Sequence, residues 1–263
     1  MKYLFIGLLL VWHHALAESN PFPNVASAYL VQVNNKTLWE KQANSRLPPS
    51  SLTKLMTALL VIESTPLDAE VNISQAAVKE SGSRLGLRSN SKFLVEDLLK
   101  AALLSSANDA CHALADHVSG SEKKFVELMN IRAKQLGLLD THFQNACGHD
   151  ASRHYSTAND LARLANHLLA NIFIQSTVKL ASAKITSVDG KYGYQLTNKN
   201  ALIGRYDGIA GLKTGYTTKA GKCLVAYAIR NQKQVLLVLL NAPNRWWDAV
   251  DILDLAFSHV PNQ

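Results

Sequence analysis

Two hydrophobic rhythms divide this chain. Near both ends, apolar and β-branched residues gather in short runs broken by polar turns; in the middle, apolar residues recur at helical spacing. Residues 27–33 and 37–41 flank Asn34-Asn35-Lys36 and predict an opening hairpin. Residues 221–230 and 234–240 flank Asn231-Gln232-Lys233 and predict a second, followed by a helix over 246–257. Between them, 95–104, 109–118, 122–136 and 158–169 each carry a helical apolar stripe. Thr157 opens the last of these as a cap for free backbone N–H groups, and Asp160 favours the positive helix end.

This order predicts an α/β (α+β) fold: an antiparallel sheet built from both chain ends and flanked by helices, with a mainly helical central lobe. A site is expected where lobe and sheet meet. No internal repeat, low-complexity tract or Gly/Ser linker divides the chain, so residues 18–263 are expected to form one domain. Residues 1–17 have a charged start at Lys2, an apolar run to Trp12 and the small-residue end Ala15-Leu16-Ala17. They read as a signal peptide, because the run is well short of the roughly 20 residues that span a bilayer and His13 and His14 interrupt it. The chain is therefore expected to be exported.

Charge narrows the partners. The formal net charge is +7, and +6 once Lys2 is removed with the leader. Such a balance suits an anionic polymer, but the basic residues are scattered rather than massed, which argues against nucleic acid. Cys111, Cys147 and Cys223 are far apart, odd in number and not at metal-ligand spacing. Buried apolar thiols are the expectation for them, with one disulfide the alternative. No cofactor and no metal is expected.

Three short segments carry candidate chemistry. After Pro48-Pro49-Ser50, a periodic stripe of Leu52, Leu55, Met56, Leu59 and Leu60 predicts a buried helix beginning near Ser51. Ser51 and Lys54 then lie one turn apart on the same face. A serine hydroxyl is a weak nucleophile until a neighbouring base takes its proton, and a desolvated lysine can do so. Alone, this spacing arises by chance in many helices. The second segment, Ser105-Ser106-Ala107-Asn108, is a polar knot between two helical stretches, readable by itself as a loop and cap. In the third, Gly211-Leu212-Lys213-Thr214-Gly215, a glycine lets a ligand approach the backbone closely.

Taken in order, Ser-x-x-Lys, Ser-x-Asn and Lys-Thr-Gly resemble the three motifs of serine β-lactamases and penicillin-binding proteins. In detail, Ser51-Leu-Thr-Lys-Leu-Met-Thr57, Tyr155-Ser-Thr-Ala158 and Lys213-Thr-Gly-Tyr-Thr-Thr-Lys-Ala-Gly221 resemble the low-molecular-mass D-alanyl-D-alanine carboxypeptidases. The resemblance runs from about Val25 to Phe257. It implies a β-lactamase/DD-peptidase-like fold, with Ser51 forming an acyl-enzyme, Lys54 its base, and Ser106 relaying a proton to the leaving amine. It also implies that Asn108 binds the substrate amide, Lys213 supplies positive charge, and the Ser51 and Tyr216 N–H groups form an oxyanion hole. The strand through Lys213 and Gly215 would pair with an extended peptide, and Thr214 and Arg245 would hold its terminal carboxylate. A solvated surface arginine is the competing expectation for Arg245.

The implied partners are peptidoglycan stem peptides, with β-lactam antibiotics as covalent inhibitors. A class A β-lactamase needs a glutamate between the second and third motifs, and none follows Glu127. An endopeptidase cutting D-alanyl crosslinks remains the alternative, supported by Ala220-Gly-Lys-Cys-Leu-Val225; a non-catalytic wall-binding module is disfavoured by the full motif set. Many relatives continue into a strand-rich module and a membrane helix, whereas this sequence stops at Gln263, so a periplasmic chain without an integral membrane anchor is expected. Cys147 stands where related enzymes often carry another residue, which bears on deacylation. His149 and His154 with Asp150 would permit a Ser-His mechanism, but surface polarity explains them without chemistry.

Overall fold

The computed structural model describes residues 20–259, so the leader expected over 1–17 lies outside the described residues. β1 (Ala28–Val33) and β2 (Lys36–Lys41) form the opening hairpin, turning through Asn34 and Asn35 at φ 48° and 64°. Asparagine tolerates this left-handed region better than most side chains. A 3-10 turn over Ser50–Thr53 leads into α1 (Lys54–Ser64). The lobe then runs through β3 (Glu70–Asn72), α2 (Gln75–Val78), β4 (Lys92–Leu94), α3 (Val95–Leu104), α4 (Asn108–Ser119), α5 (Glu122–Gln135), α6 (Ala158–Leu169) and α7 (Ile172–Val178). β5 (Ser182–Thr186) and β6 (Gly193–Thr197) precede β7 (Ile209–Thr217), β8 (Gly221–Arg230), β9 (Lys233–Leu240) and α8 (Arg245–His259).

The main sheet has the order β2-β1-β9-β8-β7, all antiparallel. Both ends of the chain thus meet in one sheet, through β1 against β9, as the terminal patterns predict. Alternation explains why β9 is apolar at every position from Val235 to Leu240. Val235, Leu237 and Leu239 pack outward with Tyr29 and Val31 under α8, while Leu236, Val238 and Leu240 pack inward toward α6.

α1 is the central strut. Its residues from Lys54 to Val61 are all buried, and it packs against α3, α4, α5 and α6 while the serine turn before it meets β7 and β8. Each fully buried leucine there contributes about 1.5–3 kcal/mol relative to exposure. Thr157 caps α6 as its position predicts, with its Oγ1 accepting from the Asp160 N–H at 3.1 Å. α4 ends at Gly120, whose φ of 77° lets the chain leave the helix at no side-chain cost.

Several elements were not predicted. β3 and β4 have three residues each, too few to show period two. β7, the strand the resemblance implies through Lys213, pairs along β8 from Ile209 to Thr217 with a register shift between Ile209 and Gly211. The expected leading helix begins as a 3-10 turn and becomes α-helical only at Lys54.

Candidate active site

The three motifs converge where the lobe meets the sheet. α1 contributes Lys54, whose side chain is 1% exposed. Its Nζ lies 3.3 Å from Ser51 Oγ, 2.7 Å from Asn108 Oδ1 and 2.6 Å from the Cys147 carbonyl. These three contacts fix Nζ against the hydroxyl. Ser51 sits in the 3-10 turn, only partly buried, and so faces open space while its base is enclosed.

Ser106 lies at the hinge between α3 and α4 with φ 57°, a conformation that costs a non-glycine residue about 1–3 kcal/mol. Its Oγ accepts from Lys213 Nζ at 3.0 Å, and the same amine donates to the Thr214 carbonyl at 3.0 Å. Burial, and then the charge of Lys54, hold the Lys213 pKa well below the ordinary lysine range. Asn108 begins α4 and bridges two segments: its Oδ1 accepts a hydrogen bond from Lys54 Nζ and its Nδ2 donates to the Ser81 carbonyl at 2.6 Å.

β7 closes the other wall. A Cβ on Gly215 would stand 2.1 Å from Ser50 Oγ and 3.2 Å from Ser51 N, so only glycine lets the strand lie this close to the serine turn. A Cβ on Gly148, where φ is 89°, would stand 2.0 Å from the Ser50 carbonyl oxygen. The two glycines clasp the Ser50–Ser51 backbone from two sides.

Between these walls is a cleft of about 350 Å³, lined by Ser51, Ser106, Thr214, Tyr216, Arg245 and Lys199 among others. Thr214 is buried, and Tyr216 projects with 62% exposure. Arg245 is not the solvated surface arginine of the competing expectation. Its Nη1 donates to the carbonyls of Gly215 and Cys223 at 2.6 and 3.1 Å, its guanidinium stacks on Trp246 at 4.5 Å, and its buried Nε has no partner.

Ser51, Ser106, Thr214, Gly215, Tyr216 and Arg245 line one cleft, and Lys54, Asn108 and Lys213 lie buried behind it, joined to Ser51 and Ser106 by hydrogen bonds. Lys199 was missed in the sequence. It lies between Asn198 and Asn200, whose side chains each accept a backbone N–H two residues on; this turn chemistry was the available signal. Lys199 Nζ donates to Ser83 Oγ, and burial pushes its pKa down. The Cys147 carbonyl was also missed as a Lys54 acceptor, since a backbone group leaves no mark in sequence.

The reading of His149 and His154 as surface residues is corrected. His154 is buried, with Nε2 2.7 Å from Thr53 Oγ1 and Nδ1 accepting the Gln144 N–H at 3.1 Å. His149 is half-buried, with Nε2 2.6 Å from Glu80 Oε2. Both imidazoles are engaged with groups other than Ser51, which removes the geometric basis for a Ser-His pair. The three cysteines are buried and free, as buried apolar thiols should be.

Comparison with known proteins places the chain in a family. A family model described as D-alanyl-D-alanine carboxypeptidase matches residues 15–244. The chain is 37% identical over 242 residues to D-alanyl-D-alanine carboxypeptidase DacF of Bacillus subtilis, covering 88% of this chain and 62% of that protein's length. The crystal structure of a Streptomyces DD-transpeptidase superposes with a TM-score of 0.84 at 32% identity, covering 91% of this chain and 99% of that one. A Listeria monocytogenes penicillin-binding protein in its ampicillin-bound form gives 0.79 at 31%, covering 90% and 99%. With the match running through all three motifs, the chain belongs to the D-alanyl-D-alanine carboxypeptidase family of serine peptidases.

Proposed function

We propose that the chain is an exported serine D-alanyl-D-alanine carboxypeptidase that removes the terminal D-alanine from peptidoglycan stem peptides. The observation that carries this reading is the fixed approach of Lys54 Nζ to Ser51 Oγ, 3.3 Å apart at a cleft also lined by Ser106, which accepts a hydrogen bond from Lys213. Residues 18–263 act as one catalytic domain, and the pattern of 1–17 supports export to the periplasm.

In this reading an extended stem peptide lies along β7 as an added strand. Ser51 Oγ attacks the carbonyl of the penultimate D-alanine while Lys54 Nζ takes its proton. The Ser51 and Tyr216 N–H groups receive the developing oxyanion, a role supported by the tight seating of Gly215 beside Ser51 N. As the peptide bond breaks, Ser106 passes a proton to the leaving amine, and Lys213, bonded to Ser106, supplies positive charge. Asn108 holds both the Lys54 amine and the Ser81 segment, and offers its amide to the substrate. Arg245 and Thr214 receive the terminal carboxylate. Water then hydrolyses the acyl-enzyme and releases the shortened peptide. A β-lactam enters the same cleft and leaves Ser51 acylated.

Incubating the purified mature chain with stem pentapeptide and, separately, with crosslinked muropeptide dimers tests this, with products followed by mass. Loss of one alanine from the pentapeptide, blocked by penicillin, is the expected result. Cleavage of dimers alone would assign an endopeptidase instead, and no product from either would overturn the catalytic reading.

A further inference from the structure

A second polar cluster lies beside the cleft and has no part in the proposed reaction. His112 Nδ1 is 2.6 Å from Glu80 Oε1 and 3.9 Å from Glu122 Oε2, and its Nε2 is 3.5 Å from Asp116 Oδ2. His149 Nε2 is 2.6 Å from the other oxygen of Glu80. Three carboxylates thus surround one imidazole that is only 9% exposed. Among the described residues, no lysine or arginine forms an ion pair with any of the three. His112 and His149 are the basic groups paired with these acids, and a cation bound in place of the His112–Glu80 proton would be held by the same carboxylates.

We propose that Glu80, His112 and Glu122 form a binding site for one zinc ion. Their donor atoms all lie within 4.8 Å of one another. Zinc bonds of about 2.1 Å place tetrahedral ligand atoms about 3.4 Å apart, so small side-chain rotations complete the site. The Nδ1 to Glu122 separation closes slightly, and the Nδ1 to Glu80 hydrogen bond opens as the metal replaces its proton. Binding releases that proton from the imidazole. A mixed set of one imidazole and two carboxylates favours zinc over calcium or magnesium, which take oxygen ligands almost exclusively.

The surroundings point the same way. A ligating histidine ordinarily directs its other ring nitrogen at a carboxylate, and His112 Nε2 faces Asp116. The second oxygen of Glu80 is held by His149, which fixes the carboxylate in place. Glu122 is partly exposed, leaving a fourth position open to water. The ion would join α4, the start of α5 and the segment after α2.

Those are the segments that frame Lys54. Glu80 precedes Ser81, whose carbonyl anchors Asn108, and Glu122 Oε1 accepts the Ala146 N–H at 2.9 Å, next to the carbonyl that holds Lys54. The zinc acts as a clamp on the lobe and takes no part in bond making.

The test is calorimetric titration of zinc chloride into the chelator-treated mature chain, with cobalt(II) absorption as a second readout. One ion per chain is expected, with visible bands of a low-coordinate cobalt site and a raised melting temperature. Asp116→Asn, which changes the partner of His112 Nε2 and keeps an oxygen to accept from Ser74 Oγ, should weaken binding about 10–100-fold. His112→Gln and Glu122→Gln should each weaken it at least as much, and Glu122→Gln keeps an oxygen for the Ala146 N–H, so its fold is preserved. No stoichiometric binding by the native chain would overturn the site, as would binding that survives both His112→Gln and Glu122→Gln. Because no substrate is involved, either result leaves the proposed reaction standing or falling on its own assay.

Discussion

Two charged regions meet the 145–150 segment and are built in opposite ways. On the cleft side, Lys54 and Lys213 are each 1% exposed, and their acceptors are hydroxyls, an amide oxygen and backbone carbonyls. On the other side, Glu80, Asp116 and Glu122 gather around His112. The molecule thus keeps its buried amines apart from its clustered carboxylates. Had the carboxylates been placed beside the lysines, the pairs would neutralise each other and the cleft would have no surplus charge for a substrate. Burying unpaired cations costs stability, so the separation is a concession of fold to site.

The largest test of the cleft side removes its nucleophile. Ser51→Ala should lower penicillin acylation by about 10⁴-fold or more while the chain still folds, because Ser51 is only partly buried and its hydroxyl serves one hydrogen bond, to Lys54. Covalent labelling followed by mass spectrometry reads this directly. Undiminished labelling of the variant would remove the cleft's claim to chemistry.

Next comes the cost of the unpaired cation itself. Lys213→Met should cut acylation about 10²–10³-fold, as for loss of one electrostatic contributor. Its stability should hold or rise, since a desolvated amine gives way to an apolar side chain of similar length. Activity and stability therefore move in opposite directions, read by acylation rate and urea unfolding. A large loss of both would mean that Lys213 is a structural partner of Ser106 rather than a charge held for the substrate.

Much of this was legible from sequence, and the limits have physical causes. Terminal runs such as 234–240 announced strands because both faces of the sheet are covered, leaving no polar position to confuse the pattern. Ser51 and Lys54 announced themselves because one helical turn is a local spacing. The small sheets were hidden, because β3 to β6 owe their pairing to tertiary contacts. Cys147, Lys199 and the Glu80 cluster were hidden for a different reason. Their roles depend on chain segments tens of residues apart, such as Glu80 meeting His112 and His149, and no local period records such meetings.

His154 sharpens the contrast with His112. It has no carboxylate within hydrogen-bond reach, and burial lowers its pKa to about 4 from 6.5. Below pH 6.5 the unfolded chain takes up a proton that the folded chain refuses until about pH 4. The stability tied to this group is full above pH 6.5 and lost as pH falls through that window, by about 3 kcal/mol in all. A His154→Gln variant should therefore show a flatter stability curve between pH 6.5 and 4, measured by denaturant unfolding. An unchanged slope would place the acid sensitivity elsewhere.

The smallest effect, and the finest test of why the cleft is cationic, concerns Arg245. Its guanidinium already braces the carbonyls of Gly215 and Cys223, so a purely structural role would explain its position. Its buried Nε is unpaired, however, and it lines the cleft beside Thr214 and Tyr216. A carboxylate arriving there would satisfy that donor in a planar fork, which lysine cannot reproduce. The two roles separate when the free-acid peptide is compared with its C-terminal amide. If Arg245 recognises the carboxylate, the native enzyme favours the acid in kcat/KM, and Arg245→Lys shrinks that preference by about tenfold, some 1.4 kcal/mol. If it only braces the strand, Arg245→Lys lowers the melting temperature and slows both peptides alike, leaving their ratio unchanged. The ratio thus separates charge kept for the substrate from charge spent on the fold.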